Sequence, residues 1–221
     1  MAGEFEVRLV RVSNYLDVAE RMGRVRAGDE AVRITLIREM RVIVQDPEFL
    51  RRNAASEWRV TSLRKDLDRW EAEGPRPPRP DWDLVPDISY LGETAVLLLA
   101  VPEFEFASDV DKLSSWNFAP FADGDGGLFV DLSDDPWIDK MMYDIWHRNP
   151  EWPRELMDKA APAIALYPRA WLPHYVAALE AFRPKPECEQ YQRPILERHR
   201  DLARRAVKNS DFALSVLVLT G

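Results

Sequence analysis

The hydrophobic positions change period several times along the chain, and each change marks an element. In "EFEVRLVRV" (4–12), Phe5, Val7 and Leu9 alternate with Glu4, Glu6 and Arg8, the period of two of a half-buried strand. Val10 and Val12 fall on the opposite parity, so the strand ends there or carries a bulge. In "DEAVRITLIREMRVIVQD", Val32, Leu36, Ile37, Met40, Ile43 and Val44 share one helical face. Val32, Ile34 and Leu36 also alternate, but the length of the run and Asp29 as N-cap favour a helix ending before "DPEF". "SEWRVTSLRKDLDRWEAEG" predicts an amphipathic helix with Leu63, Leu67 and Trp70 inward, Trp58 near its start and Gly74 as its stop.

Residues 74–87, "GPRPPRPDWDLVPD", hold five prolines in fourteen residues, which removes backbone donors and fixes φ; they predict an extended connector and the best internal boundary. Beyond it, "TAVLLLAVPEFEF" reads as a buried strand leading into an alternating one, and "GGLFVDLS" and "MMYDIWH" as further strands. "PRAWLPHYVAALEAF" predicts a helix packing through Trp171, Tyr175, Ala178 and Phe182, with Pro173 tolerated in its first turn. After the polar break "RPKPECEQYQRP", a basic helix is expected from about Ile195 to Val207, and the chain ends in a strand, "FALSVLVLTG". A strand at each end suggests that the two lie in one sheet. The expectation is one α+β domain over 1–221, a mixed or antiparallel sheet with packed helices, with N-terminal additions and a C-terminal helix-strand extension over 183–221.

The net charge of −8 is unevenly spread. Residues 1–80 carry 16 Lys+Arg against 14 Asp+Glu, residues 161–221 carry 9 against 6, and residues 81–160 carry 5 against 18, a balance of −13. Such a segment repels nucleic acid and speeds encounter with a basic partner, although it also suits a merely solvated face. No run approaches the roughly 18 apolar residues of a membrane span. The opening "MAGEFE" lacks a basic stretch followed by an apolar one, so a cytoplasmic protein is expected. The single Cys188, between Glu187 and Glu189, offers neither a disulfide nor a cysteine metal cage.

The acidic stretch "WNFAPFADGDGGLFVDLSDDPW" (116–137) is the centre of the candidate chemistry. A calcium loop starting at Asp123 would have Asp125 in its third place. It would then have Gly127 in the fifth, Leu128 where the turn glycine belongs and Asp134 where a bidentate glutamate belongs, so no metal is expected. A carboxylate-pair hydrolase would need one acid in an apolar pocket. Asp131 has apolar neighbours, but alternation puts it on the face of Phe129 and Ser133, where it can point to solvent. Asp134, Asp135 and Asp139 show no defining spacing. His147, His174 and His199 lie far apart, and no nucleophile elbow, zinc helix or phosphate loop is present. No cofactor is implied. Several of the eight tryptophans fall in or after the acidic stretch, where they could anchor an interface.

Trp116, Phe118, Pro120, Phe121, Asp123, Gly124, Gly126, Gly127, Phe129, Asp131 and Leu132 together resemble the central signature of the SUKH superfamily, shared by cell-wall assembly regulators and bacterial toxin-immunity proteins. "MMYDIWHRNPEW", with Trp146 and His147, is similar to the family's next strand, and "AIALYPRAWLPHYVAALEAF" to its closing helix. The resemblance spans about residues 95–182; upstream, where the family has an asparagine-glycine-glycine turn, Asn53 is followed by alanines. It implies a non-enzymatic binding protein that covers and neutralises a toxin, often a nuclease. The expected contact residues are Asp123, Asp125, Asp134, Asp135 and Asp139 with Trp137 as anchor, while Gly124, Gly126, Gly127 and Asp131 shape the turn. The partner is expected to be a basic protein, with no nucleic acid and no membrane. A hydrolase or metal-dependent enzyme using the aspartates of 123–139, and a scaffold subunit of a larger assembly, stay open as alternatives.

Overall fold

The computed structural model describes residues 4–73, 86–106, 112–114, 164–166, 169, 172–181, 183, 186 and 189–219. These residues form seven α-helices and four β-strands, an α+β chain in which helix dominates. The chain divides into two compact units. One is built from Arg11–Phe106 with Lys159–Pro162, the other from Met1–Val10, Ala107–Asp158 and Ala163–Gly221.

The first unit is helical. α1 (Val12–Arg26) buries Tyr15, Val18, Ala19, Met22 and Val25, a stripe at helical spacing. Its end is set by Gly28 at φ 88°, a left-handed backbone that a side chain disfavours. The Gly28 N–H donates to Val25 O and the Asp29 N–H to Arg24 O, the paired bonds of a Schellman ending. Asp29 then opens the next helix, its Oδ1 accepting the Val32 N–H at 3.1 Å. One residue thus closes α1 and caps α2 (Glu30–Gln45).

α2 buries Val32, Leu36, Ile37, Met40 and Val44, as the helical reading requires, and adds Arg33. α3 (Pro47–Arg52) follows, with Asp46 accepting from the Glu48 and Phe49 N–H groups and Pro47 in the first turn. α4 (Glu57–Ala72) buries Val60, Leu63, Leu67 and Trp70, while Trp58 is 70% exposed. Gly74 and residues 75–85 of the proline-rich connector lie outside the described residues; Pro86 and Asp87 begin α5 (Pro86–Ala100).

α5 corrects the sequence reading, which made 94–100 a buried strand. Leu91, Ala95, Val96, Leu98 and Ala100 are buried, and the helix packs against both α1 and α2. A helix covered on two sides loses its polar face, so its sequence becomes a continuous apolar run that periodicity cannot separate from a buried strand. The residues after it turn at Glu103 (φ 52°) and return Phe104 to the core, with Glu103 and Glu105 outward.

The second unit holds the sheet, in the order β2-β1-β4-β3. β1 (Glu4–Arg11) pairs antiparallel with β2 (Lys112–Ser114), placing Phe5 opposite Leu113. β3 (Ile164–Leu166) pairs antiparallel with β4 (Phe212–Leu219), placing Ala165 opposite Val216. The two terminal strands are neighbours at the centre, as expected of strands at both chain ends. β1 is buried on both faces, Val7 and Leu9 on one and Arg8 and Val10 on the other, and it ends at Arg11. Its second apolar parity reflects a central strand covered on both sides. Ser215 on β4 is buried and donates its hydroxyl to Arg8 O at 3.4 Å.

Two helices complete this unit. α6 (Leu172–Ala181) buries Leu172, Tyr175 and Leu179, with Pro173 exposed in its first turn. α7 (Glu189–Lys208) buries Ile195, Leu196, His199, Leu202, Ala203 and Ala206, and packs on both α6 and β4. α7 begins six residues before the expected start and carries Pro194 inside. A proline there forfeits one backbone bond without ending the helix, because the apolar stripe beyond it holds the run against α6 and β4.

Candidate functional site

The residues singled out for partner contact, Asp123, Asp125, Asp134, Asp135, Trp137 and Asp139, lie outside the described residues. So do the turn residues Gly124, Gly126, Gly127 and Asp131, as well as His147 and Cys188. What is described is the frame that holds the two ends of their segment. It leaves from β2 and returns at β3, which are the opposite edges of the four-stranded sheet. Three strand spacings separate those edges, roughly 14 Å. Eight-residue β1 and β4 fill the space between them and fix that separation.

In the helical unit, Asn53 is a buried polar clamp, 3% exposed. Its Nδ2 donates to Phe49 O at 3.0 Å and Phe104 O at 3.2 Å, and its Oδ1 accepts the Phe106 N–H at 2.8 Å. Phe49 stacks on Phe104 (centroids 6.5 Å apart), and Phe106 meets Phe104 edge-on at 5.4 Å. The Arg59 guanidinium lies 5.2 Å over exposed Trp58 and 5.8 Å over Phe106. Arg33, buried in α2, donates to Trp70 O, to Glu73 O at 2.6 Å and to both carboxylate oxygens of Glu30, so one cation holds the C-terminal carbonyls of α4.

The titratable groups follow these contacts. The Arg33 hydrogen bonds hold the Glu30 carboxyl below its ordinary value, and the Val32 N–H together with Arg24 does the same for Asp29. The Arg51 hydrogen bonds depress Glu48. Each of these carboxylates is kept ionised by a cap or an arginine, which suits a structural anion. Arg200 is pushed below its ordinary value, first by burial and then by the charges of Arg183 and Arg204. Of the histidines, His199 is fully buried between α6 and α7, with its Nδ1 3.3 Å from the Tyr175 hydroxyl. Among the described residues, no group of three or more His, Cys, Asp and Glu is placed to hold a metal ion, and no helix is long and apolar enough to cross a membrane.

Two features escaped the sequence reading. Asn53 looks like a degenerate turn residue because two of its three hydrogen-bond partners, Phe104 O and the Phe106 N–H, lie more than fifty positions away in the chain. The arginines around the end of α6 come from two separate segments, and only the spacing of Arg200 and Arg204, four residues apart on one helix, hinted at a shared face. No protein-family model, curated protein or solved structure matches the chain.

Proposed function

We propose that this chain is a non-enzymatic protein-binding module of the cytoplasm, SUKH-like over about residues 95–182, that neutralises a basic toxin through its acidic middle third. The observation that carries this reading is the charge partition: 5 basic against 18 acidic residues in 81–160, in a chain whose remaining parts are both net positive. A field of one sign concentrated in one stretch raises the encounter rate with an oppositely charged surface and disfavours nucleic acid. The SUKH-type aspartate-glycine signature falls inside that same stretch. Asp123, Asp125, Asp134, Asp135 and Asp139 supply the electrostatic contact and Trp137 the apolar anchor, a role Trp fills well because it buries a large area and keeps a polar edge.

The test is affinity capture from the native host with the full chain as bait, followed by identification of what is retained. A basic protein released by moderate salt is the expected result. Retention only of acidic proteins, or of nucleic acid, would overturn the reading.

A further inference from the structure

Trp58, in the first turn of α4, is 70% exposed and lies off the face that α4 buries through Val60, Leu63, Leu67 and Trp70. A lone exposed apolar residue needs no account. Trp58 differs because a series of contacts holds it from the core outward. Buried Asn53 accepts the Phe106 N–H at 2.8 Å and so pins the turn that follows α5. The Arg59 guanidinium then lies 5.8 Å over the Phe106 ring and 5.2 Å over the Trp58 ring, linking the two. The indole therefore stands in water with part of its rotamer freedom already lost. A partner that buries it gains a large apolar area at a small ordering cost, which is how tryptophan anchors act at protein interfaces.

The charges around the ring set the chemistry of that partner. Glu57 adjoins Trp58, and Glu103 and Glu105 stand on the turn that carries Phe106; all three are exposed. Among the described residues, Glu57 and Glu103 make no hydrogen bond or ion pair. Glu105 lies near enough to Arg51 to favour its charged form, but the Arg51 hydrogen bonds go to Glu48. The cations nearby are engaged: Arg52 also pairs with Glu48, Arg64 donates to Val44 O at 2.8 Å, and Arg59 lies over the two rings. Lys65 is exposed but stands about two helical turns beyond Trp58. The free charge beside the ring is negative. Glu103 also sits at φ 52°, a left-handed backbone that a residue with a side chain adopts at a cost. The Asn53 bonds to Phe104 O and the Phe106 N–H hold the turn in that form. Glycine would relieve the strain, but it would remove the outward carboxylate.

We propose that the corner where the turn after α5 meets the start of α4 is a docking site for a basic segment of a partner protein. The aliphatic stem of a lysine or arginine lies on the Trp58 ring, and its charged head reaches Glu57, Glu103 or Glu105. The site belongs to the helical unit and does not depend on the aspartates of 123–139.

The test pans a random peptide library on the full chain and keeps the peptides retained by the parent but not by W58A. Because Trp58 is outside the core, W58A should match the parent by circular dichroism. The expected peptides carry an excess of lysine and arginine. They should bind D134N/D135N as tightly as the parent, which separates this site from the acidic segment. By fluorescence anisotropy of a labelled selected peptide, E57Q/E103Q should weaken binding about fivefold, the effect of two exposed ion pairs. E103G separates docking from stability: it should weaken the peptide while leaving the melting temperature at or above that of the parent. The proposal is overturned if no peptide tells the parent from W58A, or if the selected peptides lack a basic excess. It is equally overturned if binding falls as much in D134N/D135N as in W58A, or if affinity is unchanged in both E57Q/E103Q and E103G.

Discussion

Replacing Asn53 with alanine tests how far a single buried amide organises the helical unit. The side chain makes three hydrogen bonds, two as donor to Phe49 O and Phe104 O and one as acceptor from the Phe106 N–H. Each contributes about 1 kcal/mol net, and the Phe106 N–H and Phe104 O would lose their amide partner next to packed rings, so the loss should total about 3 kcal/mol. At about 2–4 °C per kcal/mol for a chain of this size, the melting temperature should fall by about 6–12 °C. Guanidinium unfolding followed by circular dichroism measures the total, and hydrogen exchange at the Phe106 amide locates it. Asn53→Asp sharpens the reasoning. It keeps an acceptor for Phe106 but turns an oxygen toward two carbonyls, so it should be at least as destabilising as alanine at neutral pH and partly recover as the new carboxyl protonates. A loss below about 0.5 kcal/mol for Asn53→Ala, or an aspartate variant as stable as the parent at pH 7, would refute the account of this clamp.

Further outcomes follow from the same packing. Arg33→Met should cost about 3 kcal/mol in chemical denaturation, because the buried C-terminal carbonyls of α4 lose a charged donor. Arg41→Gln, which breaks half-exposed pairs to Asp68 and Glu71, should cost under about 1 kcal/mol. Glu30 has a depressed pKa in the folded chain, so its contribution is complete above the unfolded value of about 4.3 and is lost as pH falls through the folded value. A stability–pH profile of Arg33→Met should therefore be flatter on the acid side than that of the parent. Met22→Ala, at a fully buried position of α1, should cost about 2–4 kcal/mol. Val42→Ala, 71% exposed on α2, should stay within about 0.5 kcal/mol.

The elements legible in the sequence are those with one wet face and one dry face. α2, α4 and α6 show a single apolar stripe, and α2 has an explicit cap in Asp29. The terminal strands β1 and β4 were readable, and so was their shared sheet. α5 was not, because burial on two sides erased its periodicity. α1 has the stripe Tyr15, Val18, Ala19, Met22 and Val25, but the charged residues between these positions and the apolar pair Val10 and Val12, which straddles the strand-helix junction, obscure its start. The first turns of α7 were hidden behind Pro194, whose local preference is overridden by the packing of the residues after it. On the functional side, the acidic segment is visible as charge in one linear stretch. Asn53 and the Arg183, Arg200 and Arg204 cluster exist only once distant segments meet, so no linear pattern announces them.

The association rate of the captured partner tests most directly whether the acidic middle third is the interface. Stopped-flow binding would be followed across a salt series for the parent chain and for the double variant Asp134→Asn, Asp135→Asn. Two charges removed at about 10 Å from a basic surface should slow association about three- to fivefold at low salt and flatten the salt dependence, with little change in dissociation. An unchanged on-rate and an unchanged salt slope would contradict the assignment of this segment as the interface.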